Sequence, residues 1–448
     1  MQFYEDLRWL AKSSFALCKR RREVIALLSL PKIRDKLFYG WVITIASLVI
    51  FTFAMGMRLS FGVFFKSIES DFGLTRGVTS TIFSVYMLFC CVVSVLGGWA
   101  LDRYGPRTVA LLMGSFTGLS LLLTSQTDSA WQLFVTYGLL LALGTGGMFA
   151  VVSSTVSRWF DKNRGIALGI VSSGGGLGPV ILAPFATYLI SNFDWRMAFL
   201  VIGLIAGLVM ASLSLLLKKE PGDIGLLPDG AKFEVAKTGL QDKGSKTQPT
   251  GFSLAQALRT SNFWLLEFSW LLSSLNLHLL TTHLVPYAID SGIPPMEAAV
   301  LLSIMGGASI PGRLVIGRIS DFTGCKPPAI ACAILQVLAL TWLIWADNLW
   351  MLYLFVAVFG FAWGGLNTVL TALVGDIFGM LSIGAILGVI NVGWTLGGAI
   401  GPATAGFIFD ATGSYFIAFA IGATAMLTST ILLALVSMKS DPEEQSKR

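Results

Sequence analysis

Five ionisable side chains fall within otherwise apolar stretches of this 448-residue chain: Arg58, Glu267, His278, His283 and Arg313. Their types offer two kinds of chemistry. An arginine stays charged at any physiological pH, and its planar fork matches a carboxylate through two parallel hydrogen bonds. Histidine can take up and release a proton near neutrality, as can a carboxyl group shielded from water. Arg313, in "IMGGASIPGRLVIGRISD", lies eight residues before Asp321, about 12 Å along a helix axis and near the middle of a hydrocarbon core about 30 Å thick. An arginine at the centre of a spanning helix costs about 2.5 to 3.5 kcal/mol on insertion scales. It is therefore expected to face a water-filled cavity and bind an anion, the alternative being a structural ion pair with Glu267 or another helix. Arg58 is a second candidate for the same anion, or a side chain that snorkels outward past Lys66. His278 and His283 are five residues apart, roughly 140° around a helix, and Pro286 after them can break or kink the segment. A gate or a proton site suits them, and Glu267 is the third proton-coupling candidate, with interfacial pairing as its other reading.

The elements that position these groups follow from composition. Hydrophobic residues make up 55% of the chain and charged residues 12%, against about 25% charged in soluble domains, and mean hydropathy is +0.76. Runs of about 20 apolar residues, long enough to cross the hydrocarbon, begin near Gly40, Val78, Thr108, Trp131, Gly165, Arg196, Asn262, Met296, Pro327, Leu349, Gly384 and Tyr415. Twelve spans put both termini on one side. Of the 31 Lys and Arg, 26 then lie on that side; outer loops hold Lys66, Arg76 and Arg196, and Arg58 and Arg313 fall in spans. Cytoplasmic loops carry such an excess, so the termini are expected in the cytoplasm and the protein in the plasma (inner) membrane. The net charge of +6 is thus mostly a topology signal and gives no reason to expect nucleic acid. Five cysteines in inner segments or spans, without metal-ligand spacing, indicate neither a disulfide framework nor a metal site. No nucleophile, base and orienting group can be assembled inside the spans, so no enzyme is expected and no cofactor is called for.

Residues 1–37 read as a cytoplasmic basic segment whose apolar core, Val24 to Leu30, is too short to span. Residues 38–217 form a first group of six spans, 218–260 a linker rich in charge, Pro and Gly, 261–438 a second group of six, and 439–448 a short tail. The two groups repeat one another. "GGWALDRYGPRT" follows the second span and "IGRISDFTGCKP" the eighth, so Gly98, Asp102 and Gly105 match Gly317, Asp321 and Gly324 at a constant offset of 219 residues. "GGGLGP" ending at Pro179 recurs as "GGAIGP" ending at Pro402, a pattern read as close helix packing on small residues. Parallel six-helix halves with a substrate site between them near midplane describe a rocking secondary transporter. The fold class expected is an all-α membrane protein of twelve transmembrane helices in two pseudo-symmetric six-helix bundles.

The loop with Gly98, Asp102, Arg103, Gly105 and Arg107, echoed by Gly317, Asp321 and Gly324, resembles the signature of the major facilitator superfamily. Its glycines permit a sharp turn, and its role is read either as a latch holding one conformation or as a topology and folding signal. The strings "YGWVITIASLVIFTFAMGMRLSFGVFFKSIESDFGLTR", "SRWFDKNRGIALGIVSSGGGLGP" and "HLVPYAIDSGIPPMEAAVLLSIMGGASIPGRLVIGRISD" resemble the monocarboxylate transporter and oxalate:formate antiporter branch. The resemblance implies that Arg313, matching an arginine of the eighth helix, binds the substrate carboxylate. It also marks departures. The aspartate that animal monocarboxylate transporters carry four residues before that arginine is Ser309 here. Their first-helix lysine falls at Leu59, and the eleventh-helix lysine of oxalate exchangers has no counterpart between Gly384 and Phe409.

The expectation is a secondary transporter of small organic anions, monocarboxylates first, working by alternating access with proton symport; carboxylate exchange and drug export are the alternatives. Its partners would be a small carboxylate, protons and the lipid bilayer, with the oligomeric state left open. Beside Arg313 and Arg58, the candidate lining is His283, Asn276, Asn391 and Phe149.

Overall fold

The computed structural model describes residues 38–438 apart from 161–162, 225, 228, 230–250, 347 and 380, and only the backbone of Asp102. The basic N-terminal segment, most of the linker and the tail lie outside the described residues. Twelve helices are long and apolar enough to cross a membrane. They are α1 (Tyr39–Leu59), α2 (Arg76–Leu101), α3 (Arg103–Thr124), α4 (Ala130–Trp159), α5 (Arg164–Asn192) and α6 (Trp195–Ser214) in the first bundle. The second bundle holds α7 (Ser261–Asp290), α8 (Pro295–Thr323), α9 (Lys326–Leu343), α10 (Leu349–Phe378), α11 (Ile383–Thr412) and α12 (Phe416–Leu435). Each begins within a few residues of the expected start, because the length of an apolar run is itself the signal. The third differs most: its span begins at Arg103, ahead of the apolar run, and holds one sharp turn at Gly105.

That turn and its repeat adopt one conformation. Gly105 has φ 79° and ψ 164°, and Gly324, after α8, has φ 78° and ψ 166°. A Cβ is disfavoured there, which accounts for glycine at both matched positions. Polar residues cap the helices that enter from short loops. Thr75 accepts from the Val78 N–H at 3.4 Å, Asp194 from Met197 at 2.6 Å and Thr260 from Phe263 at 3.3 Å, each satisfying an otherwise orphaned donor.

Small residues set how close the helices come. A Cβ built on Gly178 of α5 would lie 2.5 Å from the backbone nitrogen of Gly56 on α1. In the second bundle Gly397 and Gly401 of α11 meet the carbonyls of Leu271 and Leu275 on α7. The repeated glycine and proline pattern is thus a packing surface used twice, α5 on α1 and α11 on α7. Between bundles, α5 crosses α8 and α2 crosses α11.

Contact between the bundles tightens away from the linker. α1 ends at Leu59, and after a break at Ser60 (φ −100°, ψ 9°) a further helix, Phe61–Phe72, carries on to the far end. Its Gly62 lies against the carbonyls of Thr281 and Thr282 on α7. Pro286 does not break α7, which runs unbroken to Asp290. Lacking an N–H, it leaves the Thr282 carbonyl without its usual helical donor, and Gly62 packs against that carbonyl. Toward the linker end, a Cβ on Gly98 of α2, Gly165 and Gly169 of α5, or Gly384 and Gly388 of α11 would meet nothing within 4 Å. The bundles close on each other at the far end, while these glycines of the linker end face open space.

Candidate functional site

Arg313 projects from α8 across the α5 crossing. Its Nη1 donates to the Ser172 carbonyl of α5, its guanidinium carbon lies 5.4 Å from the Trp363 ring centroid on α10, and its buried Nε has no partner. Among the described residues it makes no ion pair, and Nη1 is the only guanidinium nitrogen engaged. Glycine at 175 keeps the floor open: an added Cβ would lie 3.4 Å from Nη2 and 3.7 Å from the Phe51 ring. Phe51 in turn sits 5.3 Å, centroid to centroid, from Phe149, which is half exposed. Arg313, Phe51, Phe149 and Trp363 therefore stand as neighbours at mid-depth, and Phe51 and Trp363 complete an aromatic wall. Ser309, one turn before Arg313, donates to the Gly306 carbonyl at 2.7 Å and is sealed between α5 and α10 by Gly176 and Gly364.

Arg58 does not snorkel outward. Its Nη2 reaches 3.3 Å from Nε2 of His278 on α7, and its buried Nε is also unpartnered. The fully buried His278 ring lies 5.8 Å from Phe83 on α2 and 5.7 Å from Trp394 on α11. Beside Arg58, α4 widens into a π-helical turn, Phe134–Leu140, from which Tyr137 donates to the Met57 carbonyl at 3.1 Å. Asn391 is exposed on the α11 face that carries Trp394 one turn on and Gly398 two turns on, both against His278. Asn276 is not brought to this group: it is fully buried, with its Oδ1 toward Gly422 of α12. Glu267 lies nearer the linker end against Gly393 of α11, and among the described residues it has no cationic partner. The ion pair between Glu267 and Arg313 weighed as an alternative does not form.

His283 belongs to a separate cluster at the far end. Its Nε2 lies 2.9 Å from the Pro402 carbonyl and 3.1 Å from Ser80 Oγ, and its Nδ1 lies 2.9 Å from the Tyr415 hydroxyl. Arg76, 7% exposed, donates to that hydroxyl at 2.9 Å and pairs with Asp290 at 2.5 Å and Glu69 at 3.3 Å. Lys66 pairs with the same Asp290. From α11, Asp410 accepts from the backbone N–H groups of Arg76 and Gly77 at 2.9 and 2.8 Å, capping α2 from the opposite bundle where the helix dipole favours negative charge. Burial pushes the Glu69 carboxyl above its usual value, against the pull of Arg76 and Lys66. Sequence reading passed over this cluster, taking Arg76 as a loop charge. The available signal was the complementary Arg76, Asp290 and Asp410 at the outer ends of three spans.

The loop motif occupies the linker end. Arg318 and Asp321 pair at 3.3 Å with both side chains well exposed, a contact worth roughly 0 to 1 kcal/mol. Arg103 stands 5.5 Å from Trp99 and 5.6 Å from Tyr104 ring centroids. With Arg107, Lys218 and Lys219 it lines a cleft of about 380 Å³. Gly98 is open, and an added Cβ on Gly317 would meet only Thr368. The side chain of Asp102 is not among those described.

Two bundles packed on glycine, meeting around two arginines that have no carboxylate partner among the described residues, have the architecture of a membrane transporter. The Major Facilitator Superfamily model matches residues 46–331 and 308–448, and the chain belongs to that family. It is similar to monocarboxylate transporter 12 of Xenopus laevis, 26% identical over 416 residues covering 89% of each chain. It is also similar to monocarboxylate transporter 11 of Homo sapiens, at 26% identity over 88% of this chain and 82% of the relative. Monocarboxylate transporter 4 of Gallus gallus is 25% identical over 89% and 82%. Among solved structures, a bacterial homologue of the human lysosomal transporter Spinster, inward-facing and unoccupied, superposes with TM-score 0.67 at 17% identity, covering 89% of this chain and 95% of that one.

Proposed function

We propose that this protein carries small monocarboxylates across the plasma membrane by alternating access, coupled to protons, and that Arg313 binds the substrate carboxylate. The observation that carries the reading is an arginine at mid-depth with no acidic partner among the described residues and an unpartnered Nε. An unpaired cation in a membrane core marks a site for a mobile anion. The aromatic wall of Phe51, Phe149 and Trp363 supplies apolar contact for a short carbon chain. The names of the similar monocarboxylate transporters support the same substrate class. With the termini in the cytoplasm, the far end is extracellular and the described state opens inward.

Carboxylate exchange is the second reading, favoured by Ser309 in place of an acidic group one turn from Arg313. Counterflow in proteoliposomes, screened over labelled lactate, pyruvate, oxalate and a hydrophobic cation, tests the proposal. Saturable lactate or pyruvate counterflow is expected. Counterflow of the cation alone would show an exporter instead, and counterflow of oxalate alone a dianion exchanger.

A further inference from the structure

The hydrogen bonds around His278 determine where its proton sits. Nδ1 lies 2.9 Å from the Ser274 carbonyl, which only accepts, so Nδ1 carries the hydrogen. Ser274 Oγ donates to the Trp394 carbonyl at 2.5 Å and stands 3.1 Å from the same Nδ1 as a second acceptor. The lone pair of a neutral ring is then on Nε2, where Arg58 Nη2 donates to it from 3.3 Å. Protonating Nε2 would set two donors and two positive charges against each other. The Arg58 contact and a charged His278 therefore exclude one another.

A neutral imidazole is a poor partner for a buried guanidinium, and among the described residues Arg58 has no carboxylate. An entering carboxylate is the stronger acceptor, since it adds charge attraction to the hydrogen bonds. Once Arg58 turns to it, the Nε2 lone pair is left buried and unpaired, which is costly unless a proton arrives. The buried charge also balances: one cation before, and afterwards two cations and one anion. Bringing in the anion with a proton keeps the net charge of a low-dielectric site unchanged.

The neighbouring elements supply no competing base of this kind. α2 presents Phe83 and, further along, Tyr86 and Cys90; the Tyr86 hydroxyl is bonded to Thr145 of α4 at 2.7 Å. α4 adds Tyr137, α7 adds Ser274, and α11 presents Trp394 and Gly398. Among the described residues, Arg58, from α1, is the one charged group set against the ring. His283 differs: its Nε2–H is committed to Pro402 and its Nδ1 to Tyr415, with no substrate-exchangeable cation on either. Among the described residues Glu267 has no arginine to exchange.

Resting on the proposed carboxylate transport, we infer that the Arg58 and His278 pair is the coupling element. In its passage the substrate carboxylate engages Arg58 as well as Arg313; it takes the Arg58 guanidinium from His278, and the freed Nε2 binds the proton that travels with it. The N–H bond at Nε2 forms with a proton from water on the entry side. It breaks to water on the exit side as the carboxylate leaves and Arg58 returns.

The test is His278→Gln in proteoliposomes; its amide oxygen still accepts from Arg58 but binds no proton. Labelled lactate counterflow is expected to fall but to remain measurable, because carboxylate entry leaves the variant's amide oxygen without its donor. Accumulation driven by an inward proton gradient, about tenfold per pH unit at equilibrium in the wild type, should fall to none. Accumulation by the variant equal to wild type overturns the inference, as does wild-type counterflow with no response to the gradient. Absence of counterflow in wild type with every carboxylate defeats the proposed function instead. A second measurement needs no variant: lactate binding to the detergent-solubilised wild type, titrated calorimetrically in buffers of different ionisation enthalpy, should take up about one proton per lactate. Uptake of none overturns the inference.

Discussion

Replacing Arg313 by lysine keeps a positive charge at mid-depth and removes the fork. Nη1 is anchored on the Ser172 carbonyl while Nε has no partner. A carboxylate is therefore expected to approach side-on, to Nε and Nη2, beside the open floor at Gly175. Lysine offers a single point charge on a flexible stem. It can satisfy the carboxylate or Ser172, but it cannot bond both in the arginine geometry. The loss is one charge-assisted hydrogen bond, about 1.5 to 3 kcal/mol, or about a 10- to 150-fold rise in the half-saturating lactate concentration. Arg313→Gln, losing the charge as well, should abolish saturable counterflow. The assay is concentration-dependent lactate counterflow at matched protein density, with melting temperature in detergent measured alongside. If Arg313→Lys keeps its half-saturation within threefold of wild type while remaining folded, the carboxylate does not use the fork and the site is elsewhere.

Asp410→Asn should weaken far-end closure. The amide oxygen can cap one of the two α2 N–H groups but its NH2 then faces the other, and charge at the helix end is lost, a cost of about 1 to 2 kcal/mol. The readout is faster thiol labelling of a cysteine at Thr282, in a cysteine-free background, where Gly62 now covers the backbone. Gly178→Ala would place a Cβ 2.5 Å from the Gly56 nitrogen, backbone that cannot give way as a side chain does. About 1 to 3 kcal/mol of destabilisation should appear as a lower melting temperature. Closure should also respond to pH through Glu69. Burial raises its pKa in the closed state, so the closed state holds the proton more tightly than the open one. Its contribution to closure is present at low pH and lost as pH rises through the raised value. Labelling at Thr282 should therefore slow as pH falls through the raised Glu69 value, and Glu69→Gln should flatten that profile.

The elements were legible in the sequence because each obeys a local rule. An apolar run of spanning length marks a helix, and the repeated glycines predicted sharp turns at Gly105 and Gly324 and close packing at both GxxxGP stretches, though not which helix each would meet. Arg313 could be placed at mid-depth by counting from Asp321. What could not be read was which way a side chain faces once two bundles meet. Arg58 is close enough to the outer end of its span to read as a snorkelling residue, and only the break at Ser60 and the approach of α7 turn it toward His278. Asn276 and His278 are two residues apart, yet one faces α12 and the other Arg58. The capping of α2 by Asp410 joins residues more than three hundred positions apart, and only their shared place at outer span ends hints at it.

The composition of the two inter-bundle contacts fits the work a rocking transporter asks of them. The far-end closure is largely polar: Arg76 with Asp290, Glu69 and Tyr415, His283 with Pro402, and Asp410 on the α2 terminus. When such a contact opens to water its groups are rehydrated, so each hydrogen bond nets only about 0.5 to 1.5 kcal/mol. An apolar closure would lose about 25 cal/mol for every Å² exposed and resist opening in proportion to its area. At mid-depth the rule reverses. The α5 and α8 backbones meet at Gly176 and Gly306, where an added Cβ on Gly176 would lie 2.6 Å from the Gly306 carbonyl oxygen. A pivot must stay in contact throughout the motion, and two bare backbones can roll on each other without side chains having to repack. Arg313 and Ser309 flank that crossing, so the proposed carboxylate site would lie beside the pivot of the proposed rocking motion.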